Sequence, residues 1–245
     1  MSQIKLSHVV GAVLLVATLN IANVQAQTPP KVEHHESDTP GATNISWNFD
    51  GSKELPVGWK AEATNQQGPL ATWRVIKDRT APSAENALAM VSPNHDSGGT
   101  FNICWTKDIR FFDGAIEAYF KAVEGREDQG GGVIWRVQDK ENYYIARFNP
   151  LEDNFRIYTV RDGARKTLAS VRIALTAGEW HSLKIVQQGN HYKGYLNGKK
   201  ILDGRDGLFT SPGGVGLWTK ADAVTSFDDF SVRHFKHNEN KGEIK

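Results

Sequence analysis

Between Ile45 and Phe235 apolar residues alternate with polar ones in short runs, and turn-forming residues punctuate them. The alternating runs fall at 73–77, 115–121, 132–138, 143–148, 155–160, 166–171, 180–186, 191–196, 215–219 and 226–233. Period two puts successive side chains on opposite faces, so each run predicts a strand with one apolar face. No stretch of this body carries the longer periodicity of an amphipathic helix. Asn197-Gly198 and Asp162-Gly163 predict two-residue hairpin turns, because both residue types tolerate a positive φ. Asp113-Gly114 and Asp203-Gly204 are weaker signals of the same kind. Many short strands without a fixed repeat predict an all-β sandwich or barrel.

The ends differ from the body. Residues 1–26 carry Lys5, then an uncharged apolar run over 9–19, then Val24-Gln25-Ala26, the pattern of a secretory signal peptide cleaved after Ala26. The apolar run is shorter than the roughly 20 residues of a membrane span. Residues 27–43, with three prolines and the pair His34-His35, predict a disordered linker. The globular domain is expected over 44–236, followed by a polar tail over 237–245. These boundaries imply a secreted or periplasmic protein with no membrane span after cleavage.

Composition narrows the chemistry. The chain has 245 residues, 29 Lys and Arg against 28 Asp and Glu, and a formal net charge of +1. Such a balance argues against a dedicated nucleic-acid binder. Cys104 is the only cysteine, which excludes an internal disulfide and any multi-cysteine metal site. No Gly-x-Ser-x-Gly elbow is present, and Gly130-Gly131-Gly132 lacks the Lys of a phosphate loop, so it reads as a tight approach before a strand.

The segments 132–138, Asn142-Tyr143-Tyr144, Trp180-His-Ser-Leu-Lys-Ile, Tyr195-Leu-Asn-Gly-Lys and Gly214-Val-Gly-Leu-Trp, followed by Phe227-Asp-Asp-Phe, come in a telling order. That order resembles the concanavalin A-like, laminin-G-like jelly-roll superfamily. Within it the chain is most similar to the bacterial secreted 3-keto-disaccharide hydrolase group, also described as family 16-like glycoside hydrolases. The resemblance implies a jelly-roll β-sandwich of two antiparallel sheets over roughly 45–235. It implies carbohydrate recognition, or hydrolysis of glycosides oxidised at C3 by an elimination that needs a base and an electrophile for the enolate. A shared fold does not transfer an activity.

Laminarinase-type relatives carry Glu-x-Asp-x-x-Glu on one strand, to supply the carboxylate pair of glycoside hydrolysis. Here the nearest stretch is Asp113-Gly-Ala-Ile-Glu117-Ala-Tyr119, with Tyr119 where Asp is wanted. Glu117 and His181 are the candidate catalytic residues, with Asp139 as a further base. Arg136, Arg147 and Lys220 are candidate oxyanion partners. Sugar recognition pairs aromatic faces with fixed polar groups, and Trp135, Arg136, Tyr144, Arg147, Asn149, Trp218 and Lys220 are the candidate ligand-binding residues. Tyr143, Arg156 and Tyr158 accompany them. Asp50 and Asp228 are candidate ligands of a structural calcium, which takes oxygen donors. An alternative reading is a structural or adhesion module that binds another protein, with an exposed apolar patch and no sugar affinity.

Overall fold

The computed structural model describes residues 44–51 and 53–235. The signal peptide, the linker and the polar tail expected from the sequence therefore lie outside the described residues. Among the described residues every regular element is a strand, and no helix is long and apolar enough to cross a membrane.

The strands are β1 (Asn44–Trp47), β2 (Trp59–Thr64), β3 (Thr72–Lys77), β4 (Asn86–Ser92), β5 (Phe101–Phe111), β6 (Gly114–Glu124), β7 (Gly131–Asp139) and β8 (Asn142–Asn149). They continue as β9 (Asn154–Arg161), β10 (Ala164–Arg172), β11 (Trp180–Gln188), β12 (His191–Leu196), β13 (Lys199–Arg205), β14 (Gly213–Lys220) and β15 (Val224–His234). Sheet A has the order β13-β12-β11-β6-β15-β4-β3, with β1 also paired to β15. Sheet B has the order β10-β9-β8-β7-β14-β5-β2. All pairings are antiparallel, and the two sheets form a jelly-roll β-sandwich.

Alternation sorts each strand's residues. On β6, Ile116, Ala118 and Phe120 are buried in the core while Glu117, Tyr119 and Lys121 are half-buried on the outer face. On β8, Tyr144, Ala146 and Phe148 enter the core beside Phe155 and Ile157 of β9. Trp135 joins them from β7, stacked on Tyr144 with ring centroids 5.4 Å apart.

Sheet B buries its other face as well. Phe101, Ile103, Trp105, Ile134, Tyr143, Ile145, Tyr158, Val160 and Trp218 form a second apolar cluster there. The sheet coils far enough for its corners to meet. Thr64 at the end of β2 bonds Lys140 O and the Tyr143 hydroxyl, and Asn65 Nδ2 donates to Gly163 O. The turn after β7 and the turn after β9 thus close over the end of β2. Close strand approach at this face depends on Gly132, which lies opposite Arg147 on one side and Trp218 on the other. A Cβ there would collide with the Ala146 carbonyl oxygen.

The hairpin expectations divide. Asn197-Gly198 and Asp162-Gly163 both take positive φ and turn the chain. Asp203-Gly204 instead lies inside β13, where Gly204 makes room for the Tyr192 ring.

Candidate functional site

Alternation along β8 brings Arg147 and Asn149 to the outer face of sheet B, beside Arg156 and Asn154 of β9. The β8–β9 connection is tightened by Asn149, whose Oδ1 accepts from the backbone N–H groups of Leu151 and Glu152. This turn presents Glu152 to Arg147. Arg147 Nη2 donates to Glu152 Oε2 at 2.9 Å and Nη1 to Asn154 Oδ1 at 2.8 Å. Arg156 Nη1 lies 3.3 Å from the same Glu152 oxygen. Partial burial raises the Glu152 pKa, but hydrogen bonds from Asn154 and Arg147 and the charges of Arg147 and Arg156 outweigh it and hold the carboxyl at about 2.

A second network adjoins the first. Asp128 accepts from Asn149 Nδ2 at 2.8 Å and pairs with Lys220 Nζ at 3.0 Å. Asp222 holds the Asp128 loop by accepting from the backbone N–H groups of Arg126, Glu127 and Asp128. Tyr158 and Trp218 form the aromatic floor, and the Arg165 guanidinium of β10 lies over both, with Cζ 4.5 Å and 5.8 Å from the ring centroids. Glu152 and Arg156 are the accessible members, with side chains 44% and 34% exposed, whereas Arg147 is 1% exposed. This polar end of sheet B combines fixed donors, fixed acceptors and rings, the chemistry that orients hydroxylated ligands.

The structure thus brings together Arg147, Asn149, Trp218 and Lys220 of the expected ligand-binding set, with Tyr143, Arg156 and Tyr158 on the same face. Three others of that set are corrected. Trp135 and Tyr144 face the sandwich core, where Trp135 Nε1 donates to Gln187 Oε1 and the Tyr144 hydroxyl donates to Asp206 Oδ1. Arg136 takes a positive φ of 48°, which breaks the alternation, and its buried guanidinium donates to Phe112 O, Phe209 O, Gly189 O and Asp113 Oδ1. It ties these loops together.

The expected catalytic pair is also corrected. His181 lies opposite Phe120 in the register and packs on its ring inside the sandwich, with Nε2 against Thr176 O and Nδ1 against Asn197 Nδ2. Glu117 lies on the opposite face of sheet A, across from Lys184. The two cannot act on one substrate. Asp139 caps its own turn, accepting from Glu141 N and Asn142 Nδ2.

The expected calcium ligands meet other partners. Asp228 is buried on the outer face of sheet A beneath the β3–β4 loop, and its oxygens accept from Ser83 N and Oγ and from Asp229 N. Asp50 Oδ1 lies 3.4 Å from Asn86 Nδ2. Among the described residues no group of three or more His, Cys, Asp or Glu side chains is arranged to hold a metal. Burial raises the Asp228 pKa to about 6 against the hydrogen bonds of Ser83 and Asp229. Burial, with the charges of Glu117, Asp229 and Asp228, also raises Tyr119.

Asp128, Glu152, Asn154 and Arg165 were missed by sequence reasoning. The spacing of Asn149, Glu152 and Asn154 around a turn was the available signal, since a side-chain-bonded turn aims flanking polar groups back at the strand. Asp128 and Arg165 become visible only through the coiling of sheet B. A separate cleft of about 350 Å³, lined by Arg110, Phe112, Asp113, Pro212 and His234, contains none of the expected site residues.

The family model of the 3-keto-alpha-glucoside-1,2-lyase-like domain matches residues 46–233. The chain belongs to this family. Its match therefore spans β1 to β15 almost completely and includes both networks at the polar end of sheet B. A levanase of Bacillus subtilis (strain 168) is 23% identical over 119 residues, covering 48% of this chain and 17% of the levanase. The chain thus corresponds to less than a fifth of that relative's length. Among solved structures, a carbohydrate binding module, CBM66, from Bacillus subtilis superimposes with a TM-score of 0.56 at 19% identity, covering 71% of this chain and 95% of the module. A β-glucanase of Bacillus licheniformis gives 0.54 at 15% identity, covering 79% of this chain and 98% of the enzyme. At these identities the two structures establish the fold that this family member shares with them.

Proposed function

We propose that this domain recognises a glycan or a modified glycoside at the polar end of the outer face of sheet B. The observation that carries this is the joined pair of networks, Arg147–Glu152–Asn154 and Lys220–Asp128–Asn149, on neighbouring strands beside Tyr158 and Trp218. The family's name points to keto-sugars, and the CBM66 and levanase likenesses point to saccharides generally. The site's own chemistry favours recognition over turnover. A carboxyl held at about 2, as Glu152 is, is a weak base at neutral pH. In this reading residues 1–26 direct export, and the mature chain begins at Gln27.

The test is calorimetric titration of the purified chain with neutral oligosaccharides and their 3-keto derivatives, with product release followed by mass spectrometry. Binding that weakens about tenfold in Arg156→Ala, without turnover, supports recognition at this site. Turnover confined to the keto-sugars would establish a lyase or hydrolase instead. Absence of both binding and turnover would leave a protein-binding module. N-terminal sequencing of the exported chain checks the processing site.

A further inference from the structure

The cleft of about 350 Å³ lies at the other end of β14 from the polar end of sheet B. Pro212, just before β14, lines the cleft, whereas Lys220, its last residue, belongs to the polar end. The eight residues of β14 span roughly 24 Å at about 3.4 Å per residue. Three segments form the walls: the end of β5 and the turn into β6 (Arg110, Phe112, Asp113), the loop before β14 (Pro212) and the end of β15 (His234, Phe235). Strand register brings them together, with Gly114 opposite His234 and Gly213 opposite Phe111, and Phe235 N donates to Asp113 O at 3.1 Å. The walls are braced from behind. Buried Arg136 donates to Phe112 O and Asp113 Oδ1 and lies over the Phe112 ring, with Cζ 4.0 Å from its centroid. Arg110 Nη2 donates to Pro212 O at 2.9 Å, and Gly189 N donates to Asp113 Oδ1 at 2.7 Å. A cleft fixed in this way needs little ordering when it takes a ligand.

The accessible groups set the chemistry of that ligand. Arg110 is exposed, and the Pro212 carbonyl takes one of its five donors. The Asp113 side chain is 14% exposed, and its bonds to Arg136 and Gly189 both fall on Oδ1. A carboxylate only accepts and a guanidinium only donates, so a ligand that meets both must itself donate and accept, as a hydroxyl does. Burial lowers the pKa of His234, which favours a neutral ring with one donor and one acceptor. Phe112, Pro212 and Phe235 offer apolar surface to C–H groups. The volume is at the low end of the range for ligand clefts, about 300–1,000 Å³, and suits a short ligand. We propose that this cleft is a second saccharide site, which takes one neutral sugar residue with its ring against Phe112 and Pro212 and adjacent hydroxyls divided between Asp113 and Arg110. It goes beyond the reading of the polar end and stands or falls without it.

The experiment is a nuclear magnetic resonance titration of the full chain with methyl α-glucoside, methyl β-galactoside and fructose, with glucuronate and glucosamine as charged controls. The His234 ring signal is assigned by its loss in His234→Gln. At least one neutral sugar should shift that signal saturably, and Arg110→Ala should raise the Kd of that sugar about tenfold, as expected for a charge-assisted hydrogen bond. If that variant does not fold, Arg110→Lys, which keeps the charge and loses the fork, should show the weakening instead. A His234 signal that no neutral sugar moves, or a Kd unchanged in the Arg110 variant, would overturn the inference. So would a shift produced by glucuronate or glucosamine alone, because the cleft would then read charge. The polar end is judged separately, by oligosaccharide binding in Arg156→Ala. Weakening there with a still His234 signal would overturn the cleft and leave the polar end standing. A moving His234 signal with oligosaccharide binding unchanged in Arg156→Ala would support the cleft and overturn the polar end.

Discussion

Arg147 and Glu152 are coupled across a steep gradient of exposure, and that gradient sets what each contributes. Arg147 is fully buried, so losing its carboxylate partner leaves a charge that water cannot reach. Asn154 still bonds one nitrogen, which limits the damage. Glu152→Ala is expected to destabilise the fold by about 1.5–3 kcal/mol, the range for hydrogen bonds to charged groups, as read by urea unfolding at neutral pH. No change would show that solvent already neutralises Arg147. Because the Glu152 carboxyl is held at about 2, below its ordinary value of 4.5, its contribution is present above that ordinary value and is lost as pH falls towards 2. Asp228 behaves in the opposite sense. Its carboxyl is raised to about 6, so the folded state holds the proton more tightly than the unfolded chain does. Its contribution therefore diminishes as pH rises from about 4 to about 6. Comparing Asp228→Asn with the parent isolates this group from carboxylates that titrate the other way. The stability difference between the two proteins should move in the variant's favour by about 3 kcal/mol between pH 3 and pH 7. A difference that stays flat with pH would mean that Asp228 titrates normally.

The legibility of each element in the sequence followed from how many of its faces are buried. β6 and β12 have one face in the core and one towards solvent, so they alternate and were readable. β5 was not. Its first six residues, Phe101 to Thr106, are all buried, because one side enters the sandwich and the other enters the second cluster made by the coiled sheet. Burial on both faces erases the alternation that marks a strand. The same coiling explains the candidate site. Arg147 and Asn149 were legible as face-mates on β8, whereas Arg165 reaches Phe101 across the coil, a meeting that no local pattern encodes. Arg136 was misread because its positive φ shifts the register within β7, and a one-residue shift inverts a face. Gly132 tests the tightness of this sheet. With Ala146 O where a Cβ would go, the backbone of β7 or β8 must move. Gly132→Ala should therefore cost about 3 kcal/mol or more in thermal or urea unfolding, and it should weaken saccharide binding by displacing Arg147. A variant as stable as the parent would show that the strands are free to separate there.

At the scale of the whole molecule, Cys104 provides a reporter that needs no engineering. It lies in the first half of β5, fully buried in the sandwich core, and burial pushes its thiol well above the ordinary range. Only the thiolate reacts readily, so a disulfide reagent modifies this residue when the sandwich opens and exposes it. β5 is bonded on both sides, to β14 and to the edge strand β2. Labelling should then follow the global opening equilibrium, with the same denaturant dependence as unfolding measured by circular dichroism. Labelling that is fast and independent of denaturant would reveal a local opening between β2 and β5. The same measurement weighs the proposed function without any assay of chemistry. A saccharide that binds the folded chain alone reduces the open population by a factor of one plus its concentration over Kd, about a hundredfold at 100 times Kd. A saccharide bound at the polar end of sheet B must therefore protect Cys104, although the thiol lies on the opposite face of sheet B from the candidate site. If calorimetry reports binding and Cys104 labelling does not slow, the ligand is held equally well by the open form, and the folded polar end of sheet B is not its site.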